Sequence, residues 1–103
     1  MSSFTCLGGK WCGASSELLQ ELLRKEWGFE GFVTTDACLG SWMNAEKAVE
    51  NGNDLMLEMG LQMSQATLKK AYRADSAAVG NALRESTHDI CYAIVNYMGG
   101  AFR

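Results

Sequence analysis

From Ser15 to Trp27 the chain reads SSELLQELLRKEW, and Leu18, Leu19, Leu22, Leu23 and Trp27 recur three and four residues apart. That spacing lays one apolar stripe along a helix, with Glu17, Gln20, Glu21, Arg24 and Lys25 on the opposite face. Glu21 and Lys25 make an i,i+4 ion pair. Ser15 or Ser16 can accept from the orphan amides of the first turn, and Gly28 suits the left-handed position past the last one. On this reading Trp27 belongs to the core.

The period then changes. Phe32-Val33-Thr34-Thr35 is aromatic and β-branched, too short for a helix, and reads as a buried parallel strand that runs out at Asp36. Cys38 to Met43 reads as a loop. Asn44 to Asn51 is a short helix with Ala45, Ala48 and Val49 inward, stopped by Gly52. Asp54 to Leu57 is a second strand, ending at Glu58 and Gly60. Ser64 can cap a helix through Tyr72. Asp75 can cap a long final helix carrying Val79, Leu83, Ile90, Ile94 and Tyr97 on one side and ended by Gly99-Gly100. Ahead of all these, Met1 to Leu7 reads as a strand, followed by a glycine-rich loop to Ala14.

The order β-α-β-α-β-α-α predicts an α/β fold with three parallel strands and flanking helices. No linker or repeat divides residues 1–103, so one domain is expected. Three strands leave both edges unpaired and one face open. Phe4, Val33, Leu55 and Leu57 should then meet water unless another copy, or the remainder of a sheet, covers them.

Composition changes this little. A hydrophobic share of 48% with 20% charged residues is that of an ordinary globular chain. The net charge of -3, with basic residues scattered, gives nucleic acid no patch to bind. No apolar run approaches a membrane span, and no signal peptide is visible. Cys6, Cys12, Cys38 and Cys91 lack C-x-x-C spacing and share the chain with a single histidine, so no metal site is expected. They read as free thiols of a cytoplasmic protein. No cofactor is implied.

The candidate chemistry centres on Asp36, because α/β barrels and open α/β sheets place their reactive groups at the C-terminal ends of parallel strands. The wording around it, LLRKEWGFEGFVTTD, resembles the nucleophile segment of the family 3 glycoside hydrolases, written LR-x-E-WGF-x-G-hydrophobic-V-(S/T)-D. MSSF with the following Gly8-Gly9 resembles the sixth strand of that family's (β/α)8 barrel. GFVTTD resembles the seventh strand, NGNDLML the eighth, and ALRESTHDICYAIVN the helix that leaves the barrel. Four matches in order cover nearly the whole chain. The resemblance implies a partial (β/α)8 barrel domain over residues 1–103, from the C-terminal part of the barrel.

It also implies β-glucosidase-type hydrolysis of O-glycosyl bonds by a retaining mechanism. Asp36 would be the nucleophile and Phe4 would border a β-linked glucoside or oligosaccharide; apart from the resemblance, Trp42, in a loop after a strand, is a further ring that could stack on it. A retaining site needs a second carboxyl about 5 Å away to protonate the leaving oxygen. In the family that acid comes from a later domain or an upstream loop, and the Lys-His pair gripping the sugar lies upstream. Ala37 stands where the family has Trp or Tyr, Thr5 where it has Asn, and Phe4 where it often has Tyr. The isolated chain is therefore expected to be weakly active or inactive.

The other conspicuous residues have blander readings. Glu58 could serve as second carboxylate but reads as a solvated loop residue. His88 reads as structural. Met43, Met56, Met59 and Met63 read as core filler. Trp11, in a loop like Trp42, could stack on sugar. The alternative to hydrolysis is a non-catalytic, self-associating α/β interaction module derived from a barrel, which would be a homo-oligomer.

Overall fold

The computed structural model describes residues 1–60 and 62–98. Along them run β1 (Cys6–Leu7), β2 (Lys10–Trp11), a 3-10 turn (Cys12–Ala14) and a π-helix (Glu17–Glu26). Then follow β3 (Thr34–Ala37), α1 (Ala45–Glu50), β4 (Leu55–Leu57), α2 (Met63–Ala74), α3 (Ser76–Ala93) and a π-helical stretch, Ile94–Met98. The chain is mixed α/β, but among the described residues two strands are parallel, not three. β3 and β4 pair in parallel, with Thr34 opposite Leu55, and α1 crosses between them. β1 and β2 form a separate antiparallel hairpin. Gly8 and Gly9, at φ 59° and 80°, supply the two positive-φ positions that its tight turn requires.

Ahead of the hairpin Ser2 N–H donates to Thr34 O at 2.8 Å, which ties the start of the chain to β3. Three residues later Thr5 O accepts from Cys12 N–H at 3.1 Å. The glycine turn folds the segment back on itself, so the expected first strand forms a hairpin in place of a run along β3.

The first helix forms where its stripe predicts, but its winding differs. Ser15, not Ser16, caps it, with Oγ accepting from Leu18 N–H at 3.4 Å. Trp27 N–H reaches back five residues to Leu22 O at 3.0 Å, the hydrogen-bond step of a π-helix. Wider turns rotate each residue by less than the α-helical angle, so a stripe laid out for 3.6 residues per turn spreads sideways. Leu19 is buried and Leu18, Leu22 and Leu23 are half-buried. Trp27 is 67% exposed, against the expectation of a core residue. Arg24, expected on the outer face, turns inward and bridges Asp54 at 2.7 Å and Asp89 at 2.9 Å.

The remaining helices follow the sequence closely. Asn44 Oδ1 accepts from Lys47 N–H at 3.0 Å to start α1, whose Ala45, Ala48 and Val49 are buried. Asp75 Oδ1 accepts from Ala78 N–H at 2.9 Å to start α3. Ser64, expected as a cap, lies inside the first turn of α2, and its N–H donates to Glu58 Oε1 at 2.6 Å. On α3 Val79 is buried and Leu83 and Ile90 half-buried, whereas Ile94 and Tyr97 beyond it are exposed. The expected stop at Gly99-Gly100 lies outside the described residues. Trp11, Ala14, Met43 and Ala48 form the core beside β4, with Cys38 and Met56 against them. Val33, expected to meet water, is buried, while Leu55 and Leu57 are 44% and 47% exposed. Among the described residues no helix is long and apolar enough to cross a membrane.

Candidate functional site at the end of strand β3

Asp36 lies within β3 rather than beyond it, because the strand begins two residues later than its apolar run. The register passes from Thr34↔Leu55 to Ala37↔Leu57, three residues on β3 against two on β4. Thr35 and Asp36 therefore occupy a bulge, a device that re-aims a side chain at a strand end. Thr35 holds the bulge in place. It is fully buried, and its Oγ1 accepts from Leu57 N–H at 2.9 Å and lies 3.3 Å from Cys38 Sγ. The side-chain oxygen thus satisfies a backbone donor that the broken ladder would leave unpaired.

Asp36 is half-buried. Its Oδ1 accepts from Ala37 N–H at 2.8 Å, and among the described residues Oδ2 accepts nothing. One oxygen is held and the other left open, an arrangement suited to a carboxylate that attacks or orients. Phe4 and Trp42 are brought together: Trp42 Nε1–H donates to Phe4 O at 3.4 Å. Both rings stay accessible, at 37% and 52% exposure. The Ser2 rung holds the Phe4 segment beside the strand that carries Asp36.

Other sequence candidates take structural roles. Trp11 is buried, and its Nε1–H donates to Ser3 O at 2.7 Å, so its ring is core and presents no face to a sugar. Glu58 Oε1 accepts from the Ser64 amide in the first turn of α2. The His88 ring is exposed on α3, with Nδ1 3.2 Å from Asp89 Oδ1. Met59 and Met63, read as core filler, are 74% and 61% exposed.

The strongest ionic cluster gave no sequence signal, because helical periodicity put Arg24 on the wrong face. Asp54, with a side chain only 2% exposed, takes Arg24 Nη2 at 2.7 Å and Val33 N–H at 2.6 Å. Burial pushes its carboxyl above the ordinary 3.8, outweighing the Val33 hydrogen bond and the Arg24 charge that pull it down. The cluster ties the π-helix, β4 and α3 together. Beyond β3 and β4 a cleft of about 430 Å³ opens between the loops that follow them, starting at Cys38 but not including Asp36. Among the described residues no three His, Cys, Asp or Glu side chains gather as a metal site.

No protein-family model matches the chain, and no curated protein does. Among solved structures, β-glucosidase 3B from Thermotoga neapolitana is similar in two complexes. In complex with glycerol it is 31% identical with a TM-score of 0.73. In complex with α-D-glucose it is 29% identical with a TM-score of 0.76. Each match covers 87% of this chain and 13% of that one. Sequence order and backbone course agree, and the chain is related to the family 3 glycoside hydrolases as the like of a short segment of one.

Proposed function

We propose that this chain carries the nucleophile of a retaining, β-glucosidase-type glycoside hydrolase, with Asp36 as the attacking carboxylate. The observation that carries the reading is Asp36 itself, in a bulge at the end of a parallel strand with one oxygen held and the other open. In such a site the ionised carboxylate attacks the anomeric carbon, the leaving oxygen takes a proton from a second carboxyl, and water later releases the sugar. Phe4 and Trp42 offer apolar ring faces beside that position. Glu58, whose Oε1 holds the first turn of α2, is not assigned as that acid. The chain spans 13% of the similar β-glucosidase, so the acid and the sugar-gripping groups come from segments unlike those present here.

A fluorinated glucoside that traps the glycosyl-enzyme tests this in two settings. The chain alone should acquire no adduct. Substituted for the corresponding segment of the Thermotoga enzyme, it should gain one sugar mass on the peptide holding Asp36, and Asp36→Asn should abolish it. A folded chimera that stays unlabelled removes the nucleophile role. It would leave the second reading, a non-catalytic self-associating module, which the exposure of Leu55 and Leu57 on β4 favours.

A further inference from the structure

The cleft beyond β3 and β4 is lined by four sulfur-bearing side chains, Cys38, Met43, Met59 and Met63, which approach it from both strand-end loops and the start of α2. Met43 belongs to the buried core and Cys38 lies against it. Met59 and Met63 fill no core; at 74% and 61% exposure they stand at the mouth. Two of the oxygen donors beside them hold helix starts. Glu58 Oε1 accepts from Ser64 N–H and Asn44 Oδ1 from Lys47 N–H. Four sulfurs from three segments are the distinctive donors of this lining.

We propose that this cleft is a binding site for a soft monovalent cation of the Cu(I) class, with Cys38 as its thiolate and Met43, Met59 and Met63 as thioether ligands. Thiolate and thioether sulfur select Cu(I) over hard cations, which prefer carboxylate and carbonyl oxygen. The balance is simple: the Cys38 thiol loses its proton to solvent, a Cu–S bond forms, and copper keeps its oxidation state. Methionine, with three rotatable bonds, can bring sulfur to the ion without moving the backbone. The Thr35 hydroxyl, 3.3 Å from Cys38 Sγ, can donate to the thiolate and orient it.

The other thiols must be silenced before the site can be measured, since Cys6 and Cys91 are exposed and Cys12 half-buried. The test is anaerobic Cu(I) titration of the full chain against a competing bathocuproine chelator, in a Cys6→Ser/Cys12→Ser/Cys91→Ser background. One equivalent should be retained. Affinity should fall at least tenfold in Cys38→Ser and again in Met59→Leu/Met63→Leu, changes that keep the apolar volume. Adding Ag(I) should shift the carbon-13 methyl resonances of Met43, Met59 and Met63 and leave Met1 in place. Loss of binding in the background alone, an unaffected Met59→Leu/Met63→Leu variant, or a uniform methyl response would each overturn the assignment.

Discussion

Asp36 and Asp54 stand on neighbouring parallel strands, or just before one, and their surroundings drive them to opposite uses. Asp36 keeps an oxygen open in a bulge built by the Thr35 hydroxyl. Asp54 is sealed between Arg24 and the Val33 amide. Its raised pKa has a consequence for stability. The folded chain holds the Asp54 proton to higher pH than the unfolded chain, whose carboxyl titrates near 3.8. Above that value the folded state binds more protons, so this contribution is full below it and is lost as pH rises through the folded value. Glu17 has the opposite sign. Its own backbone amide, then Lys10 and Ser15, hold it at about 2, so its contribution is present above 4.5 and disappears as pH falls through about 2. In Asp54→Asn the first term vanishes. The unfolding midpoint of the wild type relative to that variant should therefore decline as pH rises from 3.8, followed by thermal circular dichroism. A gap that widens with pH would show that the Arg24 charge outweighs burial.

At the scale of elements, the π-helix decides how the pieces join. Arg24 reaches β4 through Asp54, α3 through Asp89, and the loop before β3 through Gly31 O at 2.9 Å. Arg24→Met keeps the aliphatic stem but leaves two poorly solvated carboxylates without their cation. Breaking such a pair from one side costs roughly 3–5 kcal/mol. Chemical denaturation should show a loss of that order, while Lys25→Met, which removes only a surface pair with Glu21, should cost under about 1 kcal/mol. Similar losses in the two variants would mean that Arg24 is no clasp. The contrast also marks what the sequence made legible. Local signals were read well: Asn44 and Asp75 cap the helices they precede, and Ala45, Ala48 and Val49 face inward as their spacing says. Period-based readings failed where the backbone left its ideal period. The π winding turned Arg24 in and Trp27 out, and the bulge moved Asp36 into the strand. The Gly8-Gly9 turn was visible as a loop, but that it closes a hairpin between Cys6–Leu7 and Lys10–Trp11 was not, because the short Lys10–Trp11 strand carries no pattern of its own. For the candidate site, Asp36 and Phe4 were read from the motifs they stand in, and Trp42 only from its place in a loop after a strand. Thr35, which builds the bulge, carried no signal of its own.

The whole molecule is larger than its mass requires. A folded monomer of 11.3 kDa should expose about 5,700 Å² of surface, whereas this chain exposes 6859 Å², about a fifth more. Its radius of gyration is 13.8 Å, against about 13 Å for a compact chain of this length. Met56 packs against the core, so Leu55 and Leu57 on either side of it fall on the opposite face of β4. Among the described residues β4 pairs with β3 alone, so its other edge is free beside that face. Each fully buried leucine is worth about 1.5–3 kcal/mol, so leaving both half in water uses up an appreciable part of a domain stability of roughly 5–15 kcal/mol. A second copy could cover them. A symmetric dimer through β4 is therefore expected in sedimentation at micromolar concentration. Leu57→Lys should dissociate it, because a charge repeated across a two-fold axis meets itself. A wild-type chain that sediments as a stably folded monomer of 11.3 kDa would show that the half-exposed β4 face is tolerated in water and that nothing need cover it.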